Sequence, residues 1–334
     1  MKLRLPVLTN GGIILSYKCT NKCKHCLYAS SPAWDKWFDI DDLDKVFKSL
    51  SKFTFWGIHF AGGEPFLNFE LLLQSVKLAS KYNIPMEYVE TNCYWCINED
   101  EIREKLLLLK EAGLHSILIS VSPFHNEFIP LIRVLEGYKL AVEILGRENV
   151  FLYVDYYLNL LKNFNINKRI KFSEFENFIG KKNVGDNIKY YYGLILNGRT
   201  VVELERYFPH YPMERVLTDS CYNKLVNPHH IHIDLYGNYI TGFCAGISMG
   251  KNFDVADLFN KGIELEKYPI LNILINKGTR GLLEFVKENS EFTPLKNGYI
   301  SECHLCNHLR WTLIKNNLRF EELSPIEYYY NLFK

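Results

Sequence analysis

Hydrophobic runs of strand length alternate with amphipathic helical patterns over the first 200 residues. Apolar, β-branched or aromatic runs predict strands at Ile13–Tyr17, Phe55–Ala61, Met86–Thr91, Ser116–Val121, Val150–Tyr156 and Tyr190–Leu196. Apolar positions at helical spacing predict helices at Asp41–Leu50, Asn68–Tyr82, Glu99–Ala112 and Glu127–Leu145. A repeated strand–helix unit predicts a parallel sheet covered by helices. Six such units are fewer than the eight of a closed (β/α) barrel, so we expect an α/β fold with a partial (β/α)6 barrel over residues 10–205.

The pattern changes after about residue 215. Two short apolar runs, His230–Ile233 and Tyr239–Phe243, flank a turn that contains Gly237 and predict a β-hairpin. Helical patterns follow at Pro269–Lys277 and Gly281–Asn289. We therefore expect a small C-terminal α+β domain over residues 206–334. Residues 163–186 have no clear period and are either a solvated helix with a loop or a lid.

Composition narrows the functional class. The chain has 334 residues, of which 48% are hydrophobic, which is enough for a packed core and argues against disorder. Its 39 Lys and Arg residues balance 38 Asp and Glu residues, so no overall field recruits nucleic acid or an anionic membrane. No apolar run approaches the roughly 20 residues of a membrane span, and the start lacks the apolar stretch of a signal peptide. We expect a cytoplasmic protein with no nucleic-acid and no membrane partner.

Nine cysteines, most of them closely spaced, favour metal ligation over disulfides in a chain without an export signal. Cys19, Cys23 and Cys26 follow the first predicted strand with C-x3-C-x2-C spacing. Three thiolates hold three irons of a [4Fe–4S] cube and leave the fourth iron open. The alternatives are a structural zinc, which normally takes four protein ligands, and inert buried thiols, which the surrounding lysines disfavour.

This loop, together with Ala61-Gly-Gly-Glu-Pro65 at the end of the second strand, resembles the radical S-adenosylmethionine (SAM) superfamily. The resemblance implies that SAM binds the open iron and is cleaved by one electron to a 5′-deoxyadenosyl radical, which abstracts hydrogen from a substrate carbon. The cofactor-binding residues that it suggests are His25, Gly62, Gly63, Glu64, Thr91, Asn92, Ser120, Ser122 and Arg199. Ser120 and Ser122 could equally be ordinary strand-end serines, and Arg199 a surface arginine.

Four further cysteines form a second candidate metal site. The predicted hairpin brings Cys221 and Cys244 together, and the Cys-x-x-Cys of Cys303 and Cys306 can complete four thiolate ligands. A closed site of this kind holds either a second [4Fe–4S] cluster or a structural zinc. The layout resembles the C-terminal auxiliary-cluster domains, of SPASM or twitch type, found in radical SAM enzymes.

The substrate is suggested by a further resemblance, to radical SAM epimerases that act on ribosomally made peptides. It rests on Ser30–Pro32, Tyr94-Trp95 and His125–Phe128. We therefore expect two [4Fe–4S] clusters, SAM, a reductant such as flavodoxin or ferredoxin, and a peptide substrate. The alternatives are a small metabolite (a sugar, nucleoside or amino acid) and, more distantly, a zinc-binding interaction module. Those epimerases have two adjacent cysteines where this chain has only Cys244.

Three more residues are candidates for catalysis. Cys93 and Cys96 follow the third predicted strand and are a hydrogen-atom donor, a redox or ligand pair, or small packing residues. His125 ends the fourth predicted strand and either faces the substrate or is a capping or core histidine.

Overall fold

The computed structural model describes residues 2–6, 8–226 and 230–333. The chain divides into two compact units, each built from separate stretches of sequence. The N-terminal unit comprises residues 12–23 and 30–194, and the C-terminal unit comprises residues 1–11, 24–29 and 195–334. The domain boundary expected near residue 205 stays a prediction.

The secondary structure follows the alternation of the sequence. The strands are β1 (Lys2–Leu3), β2 (Asn10–Ser16), β3 (Gly57–Gly62), β4 (Met86–Thr91), β5 (Ile117–Ser120), β6 (Val150–Tyr153), β7 (Ile231–Asp234), β8 (Tyr239–Thr241) and β9 (Ile263–Glu264). The helices are α1 (Ile40–Leu50), α2 (Phe69–Lys81), α3 (Glu99–Glu111), α4 (Pro123–Asn126), α5 (Leu131–Leu145), α6 (Asp155–Asn163), α7 (Phe172–Ile179), α8 (Val184–Tyr192), α9 (Thr200–Glu203), α10 (Met213–Val216), α11 (Tyr222–Leu225), α12 (Val255–Lys261), α13 (Pro269–Asn289), α14 (Glu302–Lys315) and α15 (Ile326–Phe333).

A parallel sheet organises the N-terminal unit. Its strands lie in the order β6-β5-β4-β3-β2, and β3, β4, β5 and β6 pair in parallel. Helices connect successive strands, and Phe60, Val89 and Ile119 are fully buried in the sheet. The predicted α/β class is confirmed. Because active sites of open parallel sheets lie beyond the carboxyl ends of the strands, we expect a functional site at the loops after β2 to β5.

The residue at the N-cap position explains where two helices of this unit begin. The Asp39 carboxylate accepts from the backbone N–H of Asp41 at 2.9 Å and so starts α1. The predicted helix at Glu127–Leu145 begins only at Leu131, because Pro130 takes the N-cap position.

The predicted strand at Tyr190–Leu196 is wrong. The stretch up to Tyr192 is the end of α8, whose Val184 and Ile188 are buried together with Tyr192 at four-residue spacing. Tyr190 and Tyr191 are 72% and 54% exposed, so the aromatic run does not form a strand with a buried face. The helical period therefore outweighs the β propensity of tyrosine. The strand–helix repeat stops after β6 in the part of the chain that the structure describes.

An antiparallel hairpin and a long helix organise the C-terminal unit. Strands β7 and β8 pair antiparallel with Ile231 opposite Thr241, as predicted. The Asp234 carboxylate holds the turn by accepting from the backbone N–H of Asn238 at 3.0 Å. Helix α13 spans both predicted helical segments and is kinked at Gly278, where a Cβ would lie 2.3 Å from the Thr218 carbonyl oxygen. None of the described helices combines the length and apolarity that a membrane span requires.

Candidate metal and cofactor sites

The loop after β2 buries two of its three cysteines. Cys19 and Cys23 are buried in the N-terminal unit, whereas Cys26 belongs to the C-terminal unit. The Cys19 Sγ atom accepts from the backbone N–H of Asn21 at 3.4 Å and from the Asn92 amide at 3.7 Å. The buried Nδ2 of Asn21 has no acceptor among the described residues. The loop therefore presents thiols and an unused amide donor in the same place, beside the end of β4.

Gly62 and Gly63 allow two stretches of backbone to approach each other. The Gly63 N–H donates to the Ser16 carbonyl at 2.7 Å, and the Glu64 N–H donates to the Lys18 carbonyl at 2.9 Å. A Cβ on Gly63 would lie 1.9 Å from the Lys18 oxygen, and one on Gly62 would lie 2.2 Å from the Ser16 oxygen. The glycine pair is therefore required by contact with the end of β2 and the residues that follow it, a contact that sequence reasoning did not anticipate.

The carboxylate of Glu64 connects the end of β3 to the end of β4. Its Oε1 accepts from the Thr91 hydroxyl at 2.9 Å and the Phe66 N–H at 3.2 Å, and its Oε2 accepts from the Asn92 N–H at 2.7 Å. Burial raises the pKa of Glu64 to about 7 even though all three donors act to lower it. Both oxygens are engaged by the protein, so Glu64 orients Thr91 and Asn92.

Ser122 and His125 form a local pair at the end of β5. The Ser122 hydroxyl lies 2.8 Å from the His125 Nδ1 and caps the short helix α4. Burial lowers the pKa of His125 to about 4, so the imidazole is neutral near pH 7. With Ser120, this pair lines a cavity of about 10 Å³, which holds no more than a water molecule. His125 thus pairs with the serine that caps its own helix; its predicted role in catalysis stays a prediction.

Cys93 and Cys96 are buried against helix α5. A Cβ on Gly137 would lie 2.7 Å from the Cys96 Sγ and 3.0 Å from the Cys93 Sγ, so the missing side chain of Gly137 makes room for both thiols. The pKa of the Cys93 thiol is raised, mainly by a hydrogen bond with Cys96 and secondly by burial. Both thiols are buried and packed, and Cys93 stays protonated, which favours the packing interpretation over a ligand pair.

The fold of the C-terminal unit brings its four cysteines to one cavity. Cys221 precedes α11, Cys244 follows the hairpin, and Cys303 and Cys306 lie on the first two turns of α14. All four line the same small cavity. Burial raises the pKa of Cys221 to about 11 and of Cys303 to about 12, and the neighbouring thiols contribute to both shifts. Four crowded thiols form a suitable site for a thiophilic metal cation, which ionises them on binding.

Two cations lie at this four-cysteine site. The Lys224 ammonium is 3.9 Å from the Cys303 Sγ and pairs with Glu302. The Arg310 guanidinium lines the same cavity as the four cysteines and is fully buried. Sequence reasoning missed Arg310, although its position four residues after Cys306 on one helix face was a usable signal. A second, open cavity of about 460 Å³ adjoins Cys244 and Cys303.

The segment Asn197-Gly-Arg199 lies against the residues that follow Cys23. The Arg199 N–H donates to the Cys26 carbonyl at 3.0 Å, and the Thr200 hydroxyl donates to the His25 carbonyl at 3.5 Å. Arg199 is only 1% exposed, so the surface-arginine alternative is wrong. The structure thereby holds the backbone of the third cysteine inside the C-terminal unit.

The segment that contains the cysteine motif after β2 matches a known protein family. Residues 13–158 match the family model described as the Radical SAM superfamily. A search of curated protein sequences gives no match to the chain.

Among solved structures, BtrN in complex with AdoMet and 2-DOIA is 15% identical, with a TM-score of 0.45 over 82% of this chain and 89% of that one. The native anSMEcpe structure with bound AdoMet and Cp18Cys peptide is 15% identical, with a TM-score of 0.43 over 94% of this chain and 100% of that one. SuiB from Streptococcus suis, bound to S-adenosylmethionine, is 14% identical, with a TM-score of 0.39 over 76% of this chain and 65% of that one. These likenesses are too distant to carry an argument about substrate.

Proposed function

We propose that this chain is an enzyme that reductively cleaves SAM and abstracts hydrogen from a carbon of a ribosomally made peptide. The proposal starts from the match of residues 13–158 to the Radical SAM family model. One observation carries the proposal. The C-x3-C-x2-C loop lies within the matched segment, directly after β2, and the Asn92 amide at the end of β4 donates to its first thiol.

The donor set of the loop fits a [4Fe–4S] cluster. Cys19 and Cys23 offer buried thiols, and the spacing to Cys26 provides the third ligand. The unused amide donor of Asn21 suits an acceptor such as a cluster sulfide or a ligand thiolate. When bound, the cluster and SAM together supply the electron transfer that cleaves SAM to a 5′-deoxyadenosyl radical.

The chain's own residues orient the groups around this loop. Glu64 fixes Thr91 and Asn92 through its two carboxylate oxygens, and Asn92 donates to Cys19. We assign Glu64 to positioning, because both of its oxygens already accept donors from the protein. The contacts to SAM that remain part of the proposal come from Gly62, Gly63, His25, Ser120, Ser122 and Arg199.

The four-cysteine site is proposed to hold a second metal centre, as a [4Fe–4S] cluster or a zinc ion. The support is that Cys221, Cys244, Cys303 and Cys306 line one cavity. An iron–sulfur cluster there would relay the electron that the substrate loses. The proposal further includes a cytoplasmic location and an external reductant of flavodoxin or ferredoxin type.

Iron and sulfide content, with EPR of anaerobically reconstituted protein, tests the two metal sites. About eight irons are expected, falling to about four when Cys19, Cys23 and Cys26 are all changed to Ala. Changing Cys93 and Cys96 to Ala is the matched control and should leave the iron content unchanged. A total of about four irons that falls to none in the triple variant would mean that the four-cysteine site holds zinc or nothing.

Substrate class is tested by the formation of 5′-deoxyadenosine under anaerobic reducing conditions. Addition of a short precursor peptide encoded beside the gene should speed SAM cleavage and label the peptide with a mass change. Acceleration by a sugar, nucleoside or amino acid and by no peptide would replace the peptide proposal with the metabolite one.

A further inference from the structure

Arg310 is a fully buried cation whose hydrogen-bond partners are all neutral. Its side chain is 1% exposed. The guanidinium donates to the Tyr329 hydroxyl at 2.7 Å, to the Asn307 amide oxygen at 2.8 Å and to the Ala245 carbonyl at 3.1 Å. These bonds satisfy the directional needs of the group, but they supply no negative charge.

No carboxylate lies within ion-pair distance of Arg310 in the described ranges 2–6, 8–226 and 230–333. A buried cation without a counter-charge is strongly unfavourable, and guanidinium does not lose its proton in proteins. The protein must therefore offer Arg310 a negative charge of another kind.

The four-cysteine site can supply that negative charge once a metal cation has ionised its thiols. Arg310 and all four cysteines line the same cavity. The Arg310 Nε also donates to the carbonyl of Cys306 at 3.4 Å, and Ala245, which accepts from Nη1, directly follows Cys244. Four thiolates around a divalent metal or an oxidised [4Fe–4S] core carry an excess negative charge of about two, which a single adjacent cation offsets in part.

We infer that Arg310 is the resident counter-cation of the four-cysteine site, a positioning residue that makes four clustered thiolates tolerable and offsets part of the negative charge of the metal centre. The inference rests on the part of the proposed function that places a metal there, and it holds for zinc as well as for iron and sulfur. It is independent of the loop at Cys19, Cys23 and Cys26.

Lys224 provides a matched control at the same site. Its ammonium lies 3.9 Å from the Cys303 Sγ, but its side chain is 49% exposed and already pairs with Glu302. Solvent and the Glu302 carboxylate compensate for much of its charge. Removing this charge should therefore affect the metal far less than removing that of Arg310.

Metal retention in Arg310→Gln, Arg310→Lys and Lys224→Gln is the first test. All three are made in the full chain, and release of the metal of the four-cysteine site to a chelator is followed by absorbance. Arg310→Gln should weaken metal binding about 10–100-fold, as loss of a group beside a metal's ligands typically does. Lys224→Gln should change it by less than about fivefold, and Arg310→Lys, which keeps the charge, should fall between. Equal retention in Arg310→Gln and the parent protein would overturn the inference.

A double-mutant cycle of melting temperatures separates what the charge of Arg310 contributes to stability from what its packing contributes. Arg310→Gln is compared in the parent chain with metal bound and in a metal-free chain with Cys244→Ser and Cys306→Ser. The decrease in melting temperature should be clearly smaller in the serine background, because the negative partner of Arg310 is gone. Equal decreases would make Arg310 a structural residue only.

If Arg310→Gln does not fold in the parent chain, recovery of folding in the serine background supports the inference, and failure in both overturns it. A failed radical SAM function would instead show as absent SAM cleavage with unchanged behaviour in this cycle.

Discussion

The two cysteine-bearing regions of this molecule differ in how they are assembled and in the charges that surround them. The loop after β2 takes its three cysteines from one short stretch of sequence, and the Asn21 backbone N–H and the Asn92 side-chain amide donate to Cys19. The four-cysteine site takes its cysteines from different elements, and two cations, Lys224 and Arg310, line its cavity. With three cysteines, the first region suits a metal centre that keeps one coordination position open. With four, the second region suits a closed, negatively charged centre.

The largest test of this comparison is removal of each ligand set. Cys19→Ala, Cys23→Ala and Cys26→Ala combined should abolish SAM cleavage, because no protein ligands remain for the open cluster. Cys303→Ala with Cys306→Ala should remove the second metal and leave SAM cleavage in the absence of substrate within about tenfold of the parent protein. Iron content and 5′-deoxyadenosine formation measure both effects. Loss of SAM cleavage in both variants would mean that the two sites do not function separately.

The next effect concerns two glycines that let backbone approach the two ends of the three-cysteine loop. Gly63→Ala would place a Cβ 1.9 Å from the Lys18 oxygen, and Gly198→Ala would place one 2.4 Å from the Leu27 oxygen. Backbone cannot move aside as a side chain can, so we expect each substitution to lower the free energy of unfolding by about 3 kcal/mol. Gly180→Ala is the control, since its nearest neighbour is the Asn183 amide at 3.4 Å; strain at its positive φ should cost about 1 kcal/mol. Urea denaturation of the metal-free proteins gives the decrease in unfolding free energy for each of the three variants. Equal decreases in all three would refute the close backbone contacts at Gly63 and Gly198.

Glu64→Gln tests how the first region orients its loop. The amide cannot accept at both oxygen positions, so the bond from the Asn92 N–H or from Thr91 is lost, at a cost of about 1–3 kcal/mol. The pKa of Glu64 is raised to about 7 from 4.5, so the folded protein binds this proton more tightly than the unfolded chain does. The parent protein therefore loses stability as pH rises from about 4.5 to about 7, by up to about 3 kcal/mol, and the variant lacks this loss.

The free energy of unfolding of both metal-free proteins, measured in urea at pH 5 and pH 8, checks this prediction. The advantage of the parent over Glu64→Gln should shrink between the two pH values. An advantage that grows with pH would show instead that the three donors outweigh burial and hold the carboxylate ionised.

The sequence predicted what is local and missed what depends on three-dimensional packing. The strands β2 to β6, the hairpin and the cysteine spacing follow from periodicity and short motifs. The predicted sixth strand failed because tyrosines satisfy both strand propensity and the four-residue spacing of buried Ile188 and Tyr192. The role of Glu64 as a link between strands, and of Arg310 as a buried cation, depends on neighbours far away in sequence. The spacing from Cys306 to Arg310 indicates a shared helix face, but the loss of water around Arg310 depends on residues such as Ala245 and Tyr329 that are distant in sequence.

The smallest expected effect separates the interpretations of Cys93 and Cys96. Both thiols are buried against Gly137, and their hydrogen bond and burial keep Cys93 protonated. Changing both residues to Ala should therefore cost about 1–2 kcal/mol of stability through the small cavities left behind. Iron content and SAM cleavage should not change.

If the pair is a hydrogen-atom donor, the variant will still cleave SAM with substrate present but will no longer transfer solvent deuterium to the product. That loss, seen by mass spectrometry in deuterium oxide, would restore an epimerase reaction that the single cysteine after the hairpin disfavours. Deuterium incorporation equal to that of the parent, or none in either protein, would leave the two thiols as packing residues.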